Sequence, residues 1–517
     1  MARLLVQEGG RVQEALIGLA QCRRPSVQGD DFMQTTRWVG AMGGALVAAL
    51  GGLAGCAHYA PKPLAPEQTL RSLESRRLTD PELLRHIREK TGRSTSEAAA
   101  PGIGGAGGGA GGDAGADAGA VLRWNRAELL LAALELNPGL AEARAQLGQT
   151  TASLKTARAI QNPTLSLATE YDLQRAGESP WLWGIGTGFL LDTFVGRGVR
   201  VNLAQAGVRG ANADFADAVW TVRRDLRAAL LAATIAQRRV ALLEPDVQQR
   251  SDLVRLARAR IEAGESARSE GLQAEVELGR SRAALEDARR TLLESRAKLA
   301  AAVGVAAPAL AEVSVAWDDL EQLPPAGAGS QSELRSRALL SRPDLERAIA
   351  DYDARELELK QQVSAQYLQT SLGPGYTYDH GVRKATFNAS IALPLFNRNE
   401  GPIAEAVAVR EVAGRHALAV QAKILNEIDA AAQGYASAVE ALERARSQRA
   451  GAESLAEAAR RAFAADSSDR PTLLAAEVAL NAERVAELDA LDRAQQSLGQ
   501  LEDALRAPLA GPETSIQ

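Results

Sequence analysis

The side chains able to do chemistry are few and scattered. The four histidines, His58, His86, His380 and His416, show no HxxxH or HxxE spacing, so they do not read as a metal-ligand set. Gly184-x-Gly186-x-Gly188 is not a G-x-G-x-x-G loop, and it precedes a strand pattern where a dinucleotide loop precedes a helix. No Walker lysine, nucleophile elbow or Cys-His pairing occurs. These residues predict a protein with no catalytic, cofactor or metal site, and so not an enzyme. One cysteine has a different chemistry. Arg37, the apolar run Val39 to Leu53 and then Leu53-Ala54-Gly55-Cys56 have the order of a bacterial lipoprotein signal peptide and its cleavage box. Cys56 is therefore the expected lipidation site, and a start at Met33 leaves a leader of normal length. A transmembrane helix is the plain alternative, but the glycine-rich run falls near or below the ~20 residues a span needs. The rival box Leu19-Ala20-Gln21-Cys22 follows a shorter apolar run interrupted by Glu14. Ala57 stands where an inner-membrane lipoprotein of this type has aspartate, which favours the outer membrane.

A second group is electrostatic. Glu262 and Glu265, then Asp466 and Asp469, crowd two breaks between long helical patterns, followed by Arg268 and Arg470. Repeated around one narrow mouth, such carboxylates would attract cations. The bland alternative is helix capping, which suits Ser266 and Asp469 best.

Those breaks are positioned by unusual elements. Aromatics are only 4% of the chain and the formal net charge is -5, which favours long alanine-rich helices and gives no nucleic-acid footprint. Helical patterns run from Asn125 to Ala159, Arg200 to Gly264, Pro343 to Ser364 and Ile403 to Ala465. Each long pattern is followed by a return helix, carrying Leu278, Leu285, Leu292 and Leu299 in heptads, or Val485, Leu488, Leu491, Leu498, Leu501 and Leu505. Roughly 65 residues at ~1.5 Å each give a helix of about 100 Å; Pro245 is expected to kink or interrupt the first.

Four segments alternate instead. Leu165, Leu167 and Tyr171 lie on one face of the first; Trp183, Ile185 and Phe189 on one face of the second; Leu372 and Tyr376 of the third; Phe387, Ile391 and Leu393 of the fourth, read as Ala385 to Leu395. Ten-residue strands with an apolar and a polar face are the pattern of a membrane barrel. Trp181 and Trp183 suit an interface, and Gly184, Gly186 and Gly188 would keep the lumen side open.

The two halves match at a shift of roughly 202 to 205 residues, and both carry L-x-A-E-V-x-L, at Leu272 and at Leu474. The chain is an internal duplication. Asn162-Pro163-Thr164-Leu165, Arg342-Pro343-Asp344-Leu345 and Leu393-Pro394-Leu395-Phe396-Asn397-Arg398-Asn399-Glu400-Gly401 resemble the TolC-like outer-membrane efflux family, with most likeness to its heavy-metal branch. The resemblance covers about Trp124 to Leu505. It implies a mainly α fold with a small membrane β part: a homotrimeric α/β barrel with long periplasmic hairpins and four transmembrane strands per chain. It also implies a periplasmic adaptor, an inner-membrane pump of the resistance-nodulation-division type, and outer-membrane lipid as partners. The adaptor would meet the tips at Gly264, Glu265, Ser266, Arg268, Ser467, Ser468, Asp469 and Arg470, with Glu262, Glu265, Asp466 and Asp469 as gate.

The expected organisation is an extension and signal peptide (1–55), a lipid-anchored tether (56–97), a Gly/Ala linker (98–120), repeat one (121–305), an equatorial connector (306–340), repeat two (341–507) and a tail (508–517). Four lipid-exposed strands cannot close alone, because unpaired backbone in hydrocarbon costs several kcal/mol per group. A dimer of eight strands is too narrow for a water-filled pore, and a trimer gives twelve. A periplasmic scaffold and a type I protein-secretion duct are the competing readings; nothing in the chain identifies cargo.

Overall fold

A computed structural model describes residues 59–91, 122–173, 178–190, 196–327, 331–366, 370–391, 393 and 395–515. Cys56, the signal peptide, the Gly/Ala linker and Phe194 lie outside the described residues. The chain divides into residues 1–75 with Gln517, and residues 76–516. Within the first unit a single helix is described, α1 (Pro66–Glu74), with proline in its first turn and no buried residue.

The second unit begins with α2 (Pro81–Thr91), which buries Leu83 and Ile87. Arg76 donates from Nη1 to Leu136 O at 2.6 Å and Gly304 O at 3.1 Å, which fastens this segment to repeat one. A two-residue strand, β1 (Arg123–Trp124), pairs parallel with β4 (Ser314–Val315) of the connector. The helix expected from Asn125 to Ala159 is two helices, α3 (Arg126–Leu136) and α4 (Pro138–Arg158). Pro138 disfavours helical backbone at the residue before it, and Asn137 sits extended at φ -67°, ψ 120°. Its Oδ1 accepts from the N–H groups of Gly139 and Leu140, so the break is capped.

Strands β2 (Thr164–Tyr171) and β3 (Trp181–Leu190) follow, then the hairpin of α5 (Arg197–Glu262) and α6 (Arg268–Val303). Pro245 does not interrupt α5, which continues through it. A proline removes one ladder bond, here the one to Ala241 O; the next carbonyl, Leu242 O, accepts from Asn481 Nδ2 of α11 at 2.8 Å. Leu278, Leu285 and Leu299 are buried along the α6 seam, as their heptad spacing requires.

The connector holds α7 (Ala307–Ala311) and β4. α8 (Gln331–Ser341) closes the connector, and repeat two then gives α9 (Pro343–Ser364), β5 (Thr370–Asp379), β6 (Val382–Ile391), α10 (Glu400–Ala464) and α11 (Arg470–Leu505). The α11 helix begins and ends 202 residues after α6, from Arg268 to Arg470 and from Val303 to Leu505. Strand β6 starts and stops earlier than the sequence pattern suggested. Leu395 N–H donates to Leu393 O at 2.9 Å, a tight turn that takes Leu393 out of the strand. The sheet order is β2-β3-β5-β6, antiparallel throughout. Both edges, β2 and β6, are unpaired within the described residues. The tail is not loose: a 3-10 turn (Pro512–Ser515) carries Glu513 into the interior.

Candidate functional site

The sheet register sorts side chains by chemistry. Leu167 faces Ile185, Ile185 faces Tyr376, Phe189 faces Leu372, and Thr370 faces Ile391 across adjacent strands. Leu165, Leu167, Tyr171, Trp183, Ile185, Phe189, Leu372, Tyr376, Phe387 and Ile391 therefore share one face. At its turn end the aromatics meet: Tyr171 packs edge-on against Trp181 with centroids 4.8 Å apart, and Trp183 stacks on Tyr378 at 5.9 Å. Most of this apolar face is uncovered by the chain itself, Leu167 being 72% exposed. Such a surface needs an apolar environment or a partner.

The opposite face carries Thr164, Ser166, Thr377, Thr386, Asn388 and the glycines. Those glycines do not simply leave space. A Cβ on Gly186 would lie 2.8 Å from Ser166 Oγ and one on Gly188 2.6 Å from Thr164 Oγ1. Neighbouring hydroxyls lie against them, so the glycines set close strand packing on a polar face that also carries Glu170, Asp379 and Lys384.

The two tips are one turn made twice. Gly264 N–H bonds Ile261 O at 3.0 Å and Glu265 N–H bonds Arg260 O at 2.8 Å; Asp466 bonds Phe463 O at 3.1 Å and Ser467 bonds Ala462 O at 2.9 Å. Both are Schellman caps, which need a left-handed residue at the turn. Gly264 supplies it at φ 77° and Asp466 at φ 52°. Asp466 thus occupies a position glycine fills without strain. Asp469 caps α11 by accepting from Thr472 N–H at 3.1 Å. The Thr472 hydroxyl and N–H hold its carboxyl below the usual range. Ser266 does not cap α6: the N-cap is Ala267, and Ser266 Oγ instead donates to Glu270. Glu262 closes α5, where a carboxylate opposes the helix dipole, so capping explains Asp469 and neither Glu262 nor Asp466. Arg470 lies 3.9 Å from Asp252 of α5, bringing the second tip beside the first hairpin. Glu265, Arg268 and Ser467 are exposed around these turns, and Ser468 is half-buried. Among the described residues no group of three or more His, Cys, Asp and Glu could hold a metal ion, and no helix is long and apolar enough to cross a membrane.

One cluster escaped the sequence. Arg126, Arg223, Arg227, Glu502 and Glu513 are all buried where α3, α5, α11 and the tail meet. Arg126 Nε pairs with Glu513 at 2.9 Å; Arg223 Nη2 pairs with Glu513 at 2.6 Å and Glu502 at 3.0 Å; Arg227 Nε reaches Glu502 at 3.3 Å. Trp317 of the connector lies under Arg126 and Arg227 at 4.7 and 5.4 Å. Burial raises the Tyr435 hydroxyl to about 12, with Glu502 adding to the shift. The signal available was Arg223 and Arg227, one helical turn apart, flanked by the apolar runs Ala218-Val219-Trp220 and Ala228 to Ala233.

Residues 129–305 match the family model described as outer membrane efflux protein. A curated relative, the cobalt-zinc-cadmium resistance protein CzcC of Cupriavidus metallidurans, is 28% identical over 284 residues, covering 54% of this chain and 66% of its own length. The match thus spans just under two thirds of that relative. Among solved structures, the outer membrane protein VceC from Vibrio cholerae superimposes with TM-score 0.60 at 19% identity, over 74% of this chain and 97% of that one. CusC gives 0.57 at 18% identity, over 73% and 91%. The open-state outer membrane channel MtrE of Neisseria gonorrhoeae gives 0.60 at 18% identity, over 76% and 90%. With a strand pair and a long hairpin in each repeat, the chain has the fold of those channels, and its first repeat matches the outer membrane efflux protein model.

Proposed function

We propose that the chain is the exit duct of a tripartite efflux system, a homotrimer that crosses the outer membrane and extends into the periplasm. It passively conducts substrates delivered by an inner-membrane pump and a periplasmic adaptor. The observation that carries this reading is the four-stranded sheet, with one mainly apolar face, one polar face and two edges unpaired among the described residues, joined to hairpins about 100 Å long. Such a sheet cannot sit alone in lipid, and three copies supply an even twelve strands for closure. The name of the relative CzcC favours heavy-metal cations as cargo.

Deleting the chain and restoring it from a plasmid tests the reading. Restored tolerance to cobalt, zinc or cadmium, with a heat-dissociable trimer in the outer-membrane fraction, is expected. A soluble periplasmic monomer, or unchanged metal tolerance, would remove it.

Two finer assignments belong to the same reading. Cys56 carries the lipid anchor; palmitate incorporation that persists in Cys56→Ser would end that assignment. The tips at Gly264 to Arg268 and Ser467 to Arg470 dock the adaptor. Charge reversal at both Arg268 and Arg470 should impair efflux in assembled trimers, and wild-type resistance in that variant would oppose tip docking.

A further inference from the structure

The apolar face of the sheet carries a single charge. In all four strands the residues that alternate onto that face are aliphatic, aromatic, proline or threonine, except for Arg383 of β6. The register sets it at the end of a row, Thr169, Trp183, Tyr378 and Arg383, in which each residue faces the next across adjacent strands. Lys384, its neighbour in sequence, points to the polar face and pairs there with Asp379. Arg383 is exposed and makes no hydrogen bond or ion pair among the described residues. No acid of the four strands shares its face. Of two adjacent basic residues, one is neutralised on the polar side and the other is left free on the apolar side.

The height of Arg383 along the sheet follows from the topology. Every strand end that joins a helix lies at the other end of the sheet: β2 follows α4, β3 leads to α5, β5 follows α9 and β6 leads to α10. With those helices in the periplasm, the turn at His380 and Gly381 marks the outward end. Arg383 and Ile391 stand eight residues apart in β6, ~27 Å along a strand at ~3.4 Å per residue. At a barrel tilt of about 40° that becomes roughly 20 Å of height, most of an apolar band ~25 Å tall. Ile391 near the inner edge therefore puts Arg383 at the outer edge. The aromatics agree with that level. Trp183 stacks on Tyr378 in the same row at 5.9 Å, and Tyr171 meets Trp181 one row further out at 4.8 Å. Such rings belong at the headgroup boundary. A guanidinium is costly within hydrocarbon and tolerated at the interface, where its planar fork matches the oxygens of a phosphate.

We propose that Arg383 is a lipid-binding residue: at the outward rim it holds a phosphate of the phosphorylated glycolipid that forms the outer leaflet, with Trp183 and Tyr378 beside the same molecule. The inference rests on the exit-duct reading, which places this face in the outer membrane. Three copies then present three such sites around the barrel.

The test uses full-length trimers extracted from the outer membrane in mild detergent, with the lipopolysaccharide retained per trimer measured by native mass spectrometry. Arg383→Gln should retain several-fold less than wild type, Arg383→Lys an intermediate amount, and Lys384→Gln as much as wild type. When lipid is returned to delipidated wild-type trimers, lipid A bearing both phosphates should bind several-fold more tightly than dephosphorylated lipid A or phosphatidylglycerol. That preference should vanish in Arg383→Gln. Undiminished retention in Arg383→Gln, or equal binding of the three lipids by wild type, overturns the assignment while leaving the exit duct standing. A lower dissociation temperature of Arg383→Gln trimers in lipid-free detergent overturns it too, because Arg383 would then be a contact between copies. A wild-type chain that never appears as an outer-membrane trimer removes the exit duct and this site together.

Discussion

Glu275 and Glu477 make the same ion pair in two different hairpins. Glu275 Oε1 accepts from Arg258 at 2.6 Å, and Glu477 Oε1 accepts from Arg460 at 3.1 Å. Each arginine precedes its glutamate by 17 residues, the length of chain that goes round one tip and back. The repeated L-x-A-E-V-x-L therefore has a structural reason: its glutamate sets the register in which outgoing and returning helices face each other. These pairs are substantially exposed, so each contributes only ~0–1 kcal/mol, and their value lies in alignment.

The buried cluster behaves differently. Glu513 neutralises Arg126 and Arg223 with its side chain almost wholly enclosed. Removing one partner of a buried pair typically costs about 3–5 kcal/mol, because the other charge is stranded. Glu513→Ala should lower the denaturant midpoint accordingly, with Glu513→Gln falling less. A wild-type midpoint in Glu513→Ala would show that the tail contributes no stability.

The Asp469 cap carries a pH dependence with a definite sign. Its carboxyl is depressed in the folded state by the Thr472 hydroxyl and N–H. A depressed carboxyl contributes stability above its unfolded value, near ~3.9, and loses it as pH falls through the folded one. Amide protection in the first turn of α11 should therefore weaken below about pH 4. Asp469→Ala should remove that acid-linked weakening; an identical pH profile in the variant would contradict the assignment.

The gate acids can be separated from capping. Glu262→Gln with Asp466→Asn keeps both shapes and, through asparagine, a residue that tolerates the left-handed backbone. Cation preference in planar bilayers should drop at low salt and differ little at high salt, since exposed charges are screened over ~8 Å at physiological ionic strength. An unchanged reversal potential at low salt would leave the acids without a role in selectivity.

Sheet packing predicts one intolerant glycine. A Cβ on Gly373 would lie 2.2 Å from Thr187 O, a backbone atom that cannot swing away, whereas Gly148 in α4 has nothing within 4 Å. Gly373→Ala should reduce the yield of heat-stable outer-membrane trimers. Gly148→Ala should be neutral or stabilising, by up to ~1 kcal/mol in a helix interior. Equal yields would show that β3 and β5 can separate without loss.

What the sequence determined by itself is what periodicity can encode. Alternation marked Leu165, Ile185, Leu372 and Phe387 for one face of a sheet, heptads placed Leu278 and Leu285 in a seam, and the duplication aligned the tips at Gly264 and Asp466. These signals are local, each carried by neighbours within a few turns or residues. Boundaries were less legible where a single hydrogen bond decides them: Asn137 caps two helices at Pro138, and the turn at Leu393 ends β6 early. Only the tertiary structure decided that Arg126, Arg223, Arg227, Glu502 and Glu513 share one buried site, since they lie in four separate segments and a charged residue inside a helical pattern looks solvated until its counter-charge arrives. Only the structure showed, too, that Leu474 is covered and Leu272 is not. The two residues stand in the same motif, and burial depends on which neighbour packs against them.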